Sequence, residues 1–135
     1  MKRQGILNSD ISRVLGYMGH TDQICIGDCG LPIPEETERI DLAVRFGRPS
    51  FMEVLREVAA DMKVEKIILA EEIKTRNPAV EKEIEQLFAE TGAACETVYV
   101  PHTELKEMTK HCKAVIRTGE ITPYANIILQ SGCIF

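Results

Sequence analysis

The segment GHTDQICIGDCGLPIP, residues 19–34, places two side chains that handle protons at opposite ends of one short apolar run. His20 precedes the run and Asp28 follows it. An imidazole gains and loses a proton near neutral pH, and a carboxylate can orient an imidazole or hold a hydroxyl group. This pattern predicts either general acid–base chemistry or a site for a small polar ligand.

The chain has two further histidines, and they lie in different settings. His102 follows a predicted strand at 96–100, and the ends of strands are where α/β sheets build their sites. His111 lies in a basic stretch near a predicted helix end, which is typical of a surface histidine. Tyr124 and Asn126 add neutral hydrogen-bonding groups near the C-terminus. These residues alone fit a proton-moving enzyme and a small-ligand binding protein equally well.

The sequence favours a site with no metal and no cofactor. It contains no HxxxH, CxxC or HExxH spacing of the kind that zinc sites use. The run from Gly27 to Gly30 lacks the third glycine of a dinucleotide fingerprint, and there is no GxxxxGK phosphate loop. Cys25 and Cys29 are typical of cysteines that fill space in a core or turn. A cysteine nucleophile is therefore not expected either.

Composition limits the classes of protein to consider. A chain of 135 residues, 44% hydrophobic and 27% charged, is expected to fold as a single domain spanning 1–135. The formal net charge of −5 argues against a nucleic-acid or anionic-membrane surface. No run is long enough to cross a bilayer, and no secretory signal is evident. Five cysteines without a paired spacing indicate a reduced, cytoplasmic protein.

Helical and strand patterns alternate along most of the chain, which predicts an α/β fold. We expect a three-layer α/β/α sandwich on a mainly parallel, mixed sheet. Helices are predicted after caps at Asn8–Ser9, Ser50 with Glu53, and Asn77–Pro78, and again from Thr103. The predicted strands are, in chain order, 23–27, 40–44, 66–70, 96–100, 114–117 and 124–129.

Several segments together resemble one family over essentially the whole chain. They are residues 1–34, the runs IDLAV, GRPSF and HTELK, and the ending TGEITPYANIILQSGCIF. These segments resemble the D-ribose pyranase family, which is related to the fucose mutarotases. The mutarotases are similar around GH-D-I but usually carry an ANFP-like sequence where this chain has Cys29-Gly-Leu-Pro32. The resemblance therefore favours ribose over fucose.

The resemblance implies an intramolecular isomerase that interconverts the β-pyranose and β-furanose forms of D-ribose and supplies the furanose for ribose catabolism. It implies that His20 is the catalytic proton donor. It also implies sugar-binding positions at Asp28, His102, Tyr124, Ala125 and Asn126. The resemblance further implies a cytoplasmic homodecamer of two pentameric rings, in which a neighbouring subunit's C-terminal segment helps to complete each site. No cofactor is implied.

The chemistry of the residues agrees with this reaction. Opening a hemiacetal needs one proton to leave the anomeric hydroxyl and another to reach the ring oxygen, and positioned acid–base help is worth roughly 10²–10⁴-fold. In this interpretation, the strand between His20 and Asp28 sets the distance between the proton donor and the carboxylate that holds the sugar, so that a small polyol fits between them. Two alternatives stay open: a fucose-type sugar mutarotase, and a non-catalytic sugar-binding accessory protein of ribose uptake.

Overall fold

A six-stranded mixed sheet forms the centre of the computed structural model, which describes residues 1–135. The strands are β1 Gln23–Gly27, β2 Glu38–Asp41, β3 Val64–Ala70, β4 Glu96–Val100, β5 Ala114–Arg117 and β6 Ile127–Ser131. Their order across the sheet is β2-β5-β1-β6-β3-β4. Strands β1 to β5 run in one direction, and β6 runs antiparallel to both of its neighbours. The mainly parallel, mixed sheet predicted from the sequence is confirmed.

Five α-helices connect the strands, and their caps follow from local sequence. The helices are α1 Ser9–Tyr17, α2 Phe51–Asp61, α3 Ile73–Arg76, α4 Pro78–Glu90 and α5 His102–Met108, the last followed by a 3-10 turn at Thr109–His111. Asn8 caps α1 by accepting a hydrogen bond from the Ile11 N–H at 3.0 Å. Ser50 and Glu53 form the predicted capping box of α2. The short helix α3 has no counterpart among the predicted elements.

The helices cover both faces of the sheet, which gives the three predicted layers. Ile24 and Ile26 of β1 point into a core shared with α1, α2 and α4. Cys25, between them in the chain, points to the opposite face and packs in a smaller core with Leu105 of α5. Successive side chains of a strand alternate between faces, so β1 is buried on both sides.

Strand β2 begins and ends earlier than predicted. It pairs with β5 from Glu38 to Asp41, whereas the apolar run predicted a strand at 40–44. The Asp41 side chain accepts a hydrogen bond from the Ala43 N–H at 3.0 Å. This bond stabilises a turn, which competes with further pairing to β5. Strand β2 therefore ends at Asp41.

Strand β6 begins later than predicted because a turn precedes it. Tyr124 has a φ of 56°, and the Asn126 N–H donates to the Tyr124 carbonyl at 2.9 Å. The ladder therefore starts at Ile127 rather than at residue 124. Since β6 is antiparallel, its first residues lie beside the last residues of the other strands. We call this side the carboxyl end of the sheet, and the opposite side, where β1 to β5 begin and β6 ends, the amino end.

Candidate active site

Four of the predicted site residues come together at the carboxyl end of the sheet. Asp28 follows β1, His102 follows β4, and Tyr124 and Asn126 precede β6. The Asp28 N–H donates to Asn126 Oδ1 at 2.9 Å. The rings of His102 and Tyr124 pack edge to face, with centroids 5.1 Å apart and an interplanar angle of 89°. The antiparallel strand β6 therefore unites residues that are distant in the chain.

The segment from Tyr124 to Asn126 is held by close packing. Ala125 is fully buried in the larger core. Asn126 is 1% exposed. A Cβ at Gly27 would lie 2.7 Å from the Leu31 side chain and 3.1 Å from Asn126 Oδ1. Glycine at position 27 is thus what lets the amide approach the end of β1.

His102 presents an unpaired ring nitrogen at this end. Its backbone N–H donates to both carboxylate oxygens of Glu72, at 3.1 and 3.0 Å. Its Nδ1 is buried and has no hydrogen-bond partner. Burial first, and then the charge of Lys106, lower the pKa of the His102 imidazole below its ordinary value. The ring is therefore uncharged at neutral pH. A buried polar atom without a partner needs an explanation, and a ligand hydroxyl would supply one.

Asp28 also keeps a free oxygen. Its Oδ1 accepts the Gly30 N–H at 2.9 Å, which folds the loop after β1 into a tight turn. Arg117 fixes the same loop, because its Nε donates to the Cys29 carbonyl at 3.1 Å. Asp28 Oδ2 makes no hydrogen bond within the chain. The carboxylate is therefore held in place and can still accept a hydrogen bond from a polyol.

His20 lies at the amino end, on a well-fixed turn between α1 and β1. The Gly19 N–H donates to the Asp22 carboxylate at 2.9 Å, and this bond is the main cause that lowers the pKa of Asp22. Thr21 has a φ of 70°, and its N–H donates to the Ser131 carbonyl at 2.9 Å. The His20 side chain is 54% exposed. The turn presents an accessible imidazole on a backbone with little freedom.

A chain of polar side chains from three neighbouring strands lies behind His20. His20 Nε2 is 3.0 Å from Glu65 Oε2. Gln130 Nε2 donates to Glu65 Oε1 at 2.8 Å, and Gln23 Nε2 donates to Gln130 Oε1 at 3.0 Å. The bond from Gln130, and to a lesser degree the contact with His20, lower the pKa of Glu65. Glu65 is therefore ionised at neutral pH.

Three of these supporting residues are not predicted from the sequence. Glu65 and Gln130 are 65 positions apart and meet only because β3 and β6 pair. Glu72, which binds the backbone of His102, is 30 positions away from it. No local motif contains any of these pairs. The only available signal was a carboxylate or amide near a strand end, and that signal is common on surfaces.

The two ends of the site are far apart within one chain. Strand β1 has five residues, and at about 3.3 Å per residue its ends are roughly 13 Å apart. A small polyol cannot touch His20 and Asp28 of the same chain at once. The interpretation that His20 and Asp28, at the two ends of β1, contact one sugar molecule is therefore wrong for a single chain.

A partly apolar cavity of about 290 Å³ opens at the carboxyl end, next to the loop that follows Asp28. Its lining includes Val44, Phe46, Arg45 and Arg117. Val44 and Phe46 are 84% and 81% exposed, and Arg45 makes no ion pair. Large apolar side chains this exposed are typical of a contact surface.

Two other kinds of feature are absent. No group of three or more His, Cys, Asp or Glu side chains is arranged to hold a metal ion. None of the helices has both the length and the apolar character that a membrane span requires.

Comparison with known proteins gives full-length matches. Two curated relatives, from Halalkalibacterium halodurans and from a strain of Bacillus cereus, are named D-ribose pyranase, and each is 56% identical over 135 residues, covering 100% of both chains. A solved structure described as Bacillus subtilis RbsD complexed with D-ribose matches with a TM-score of 0.94 and 49% identity, covering 100% of both chains. The resemblance found in the sequence is confirmed.

A more distant structure shares the fold. The fucose mutarotase of Streptococcus pneumoniae in complex with L-fucose matches with a TM-score of 0.78 and 22% identity, over 96% of this chain and 95% of that one. The model of the family described as the RbsD / FucU transport protein family matches residues 1–134. The chain therefore belongs to the RbsD / FucU transport protein family.

Proposed function

We propose that this chain is an isomerase that interconverts the β-pyranose and β-furanose forms of D-ribose, and so supplies the furanose for ribose catabolism. The observation that carries the proposal is the group of polar atoms without protein partners at the carboxyl end of the sheet: His102 Nδ1 and Asp28 Oδ2, beside Tyr124 and Asn126. The full-length relatives named D-ribose pyranase identify the sugar that such a group would hold.

The reaction rearranges one bond and needs only protons. When the pyranose opens, the bond between C1 and the ring oxygen breaks, that oxygen takes a proton, and the anomeric hydroxyl loses one to leave a carbonyl. The C4 hydroxyl oxygen then attacks C1, loses its proton and closes the furanose, while the carbonyl oxygen is protonated. His20 donates the proton in the first step and regains one in the second. Imidazole is the side chain that most often both gives and takes a proton in such catalysis.

The other residues hold and orient the sugar. Asp28 and the uncharged ring of His102 accept hydrogen bonds from hydroxyl groups, and the Asn126 amide and Tyr124 hydroxyl add directional donors. Ala125, between Tyr124 and Asn126, is buried in the larger core and anchors the backbone of this segment. Such directional contacts distinguish one sugar epimer from another, since a misplaced hydroxyl leaves buried polar groups unpaired.

The active site is shared between two copies of the chain. His20 lies at the amino end and the sugar-binding group at the carboxyl end, so the two meet only when copies associate end to end. Strand β6 ends beside the His20 turn, and the exposed Ile134 and Phe135 extend from that end. Exposed apolar side chains such as these suit the partly apolar cavity that contains Val44 and Phe46.

We further propose the assembly and setting that the family resemblance implies. The assembly is a homodecamer of two pentameric rings built from the single domain 1–135. The five free cysteines are typical of a reducing compartment, so the cytoplasm is the expected location.

The test is saturation-transfer NMR of D-ribose with and without the protein. The wild-type chain is expected to accelerate exchange between the pyranose and furanose signals. His20→Ala should remove roughly 10²–10⁴-fold of that acceleration while ribose still binds. His111→Ala is the matched control, because this exposed histidine lies in the 3-10 turn at Thr109–His111 and should leave exchange unchanged.

Three outcomes would contradict the proposal. Exchange no faster than in buffer, together with saturable ribose binding, would indicate a binding protein of ribose uptake. Faster exchange of fucose than of ribose, in a panel of aldoses, would indicate a fucose-type mutarotase. Full activity of the His20→Ala variant would exclude His20 as the proton donor.

A further inference from the structure

The contact between His20 and Glu65 occupies one particular nitrogen of the imidazole. Glu65 Oε2 lies 3.0 Å from His20 Nε2, so Nδ1 is the ring nitrogen left for a substrate. We propose that Glu65 is a positioning residue that fixes the orientation and tautomer of His20, so that Nδ1 exchanges protons with the sugar. This inference rests on the proposed function, in which His20 is the acid–base group.

Glu65 is held by strands rather than by a loop. Its other oxygen accepts from Gln130, and Gln130 accepts in turn from Gln23. These residues belong to β3, β6 and β1, which are neighbours in the centre of the sheet. The Glu65 side chain is also only 32% exposed. A group supported in this way by packed strands keeps its geometry better than one on a flexible loop.

The tautomer follows from the donor and acceptor chemistry of the pair. An ionised carboxylate only accepts hydrogen bonds, so the hydrogen of the contact must be on His20 Nε2. Once Nδ1 has donated its proton to the sugar ring oxygen, it carries the lone pair of the neutral ring and can take a proton from the C4 hydroxyl. When it has done so, the carboxylate stabilises the imidazolium, as the carboxylate does in Ser-His-Asp hydrolases.

Fold stability alone does not account for this arrangement. A pair as exposed as His20 and Glu65 adds little to folding, because water and salt screen it. Side chains from three strands hold the Glu65 carboxylate against the accessible imidazole of His20. Control of that imidazole explains this arrangement better.

The deciding variant is Glu65→Gln. Gln130 donates to one oxygen of Glu65, so in the variant it would bind the amide oxygen at position 65 and leave the amide NH₂ facing His20. His20 Nε2 must then accept, which moves the ring hydrogen to Nδ1. We expect the nitrogen-15 chemical shifts of the His20 ring to show Nε2–H in the wild type and Nδ1–H in the variant. The kcat for ribose exchange should fall roughly 10–100-fold, the range found for carboxylates that orient metal-bound histidines, with KM little changed.

Two further variants separate positioning from a structural effect. Glu96→Gln removes the same charge at the same end of the sheet, where Glu96 pairs with Lys66 at 3.2 Å, and should leave kcat and tautomer unchanged. Glu65→Asp keeps a carboxylate and should retain the Nε2–H tautomer with part of the activity. The His20 signals are assigned by their loss in His20→Ala.

The proposal is overturned if Glu65→Gln keeps the Nε2–H tautomer, if its kcat equals that of the wild type, or if Glu96→Gln is equally impaired. A wild-type chain that fails to accelerate ribose exchange would instead overturn the proposed function. In that case, the tautomer measurement would still decide whether Glu65 controls the His20 ring.

Discussion

Two inactive variants of this chain should restore activity to each other when their copies mix in one oligomer. His20→Ala removes the proposed proton donor at the amino end, and His102→Ala removes the proposed sugar-binding ring at the carboxyl end. The five residues of β1 put these ends roughly 13 Å apart in one chain. In the proposed shared site, a complete site forms wherever an intact His20 of one copy meets an intact His102 of the next.

The size of the recovery follows from counting contacts. In a one-to-one mixture with random order, half of the copies offer an intact His20 and half offer an intact His102. About a quarter of the end-to-end contacts then have both, so exchange activity per chain should reach about a quarter of the wild-type value. If His20 and His102 of the same chain formed the site, every site would lack one residue and the mixture would stay inactive.

The assay mixes the two purified variants, dissociates and reassociates them, and measures ribose exchange by saturation-transfer NMR. The control mixes His20→Ala with the double variant His20→Ala/His102→Ala, which contains no intact His20 and should stay inactive. A mixture of the single variants no more active than this control, despite proven exchange of copies, would refute the shared site.

Two further predictions concern the carboxyl end. Asn126→Ala leaves the Asp28 N–H without its partner, and the expected loss is about 1–3 kcal/mol. For 135 residues this lowers Tm by roughly 4–11 °C in calorimetry, and an unchanged Tm would contradict the reasoning. His102 has a pKa lowered mainly by burial, so the unfolded chain binds the proton more readily. The free energy of unfolding should be highest above the ordinary histidine value of 6.5 and fall as pH decreases through the folded-state pKa. His102→Gln should flatten the pH profile of denaturant unfolding between about pH 7 and pH 5, and an unchanged profile would show that another group is responsible.

The elements that depend on local chemistry could be predicted from the sequence. The Asn8 cap, the capping box at Ser50 and the strand at 96–100 all occur where expected. Local signals also identified Asp28 and His102 as residues at strand ends. Boundaries failed where a turn competed with the strand pattern, as at Asp41, whose side chain ends β2.

The pairing of strands could not be predicted in the same way. Nothing in the periodicity of residues 127–131 shows that β6 enters the sheet between β1 and β3, although β5 precedes it in the chain. This placement creates the contact of Glu65 with Gln130 and brings Asn126 to Asp28. The separation of His20 from Asp28, in contrast, could have been predicted, because the length of a strand fixes the distance between its ends.

Strand β6 physically connects the proposed sugar-binding group at the carboxyl end with the polar side chains behind His20 at the amino end. Asn126 lies just before its first residue, beside Asp28, and Gln130 lies near its last, against Glu65. A one-residue slip would turn every β6 side chain to the opposite face and would disturb both contacts together. An insertion or deletion within these five residues should therefore abolish sugar recognition and proton transfer in one step.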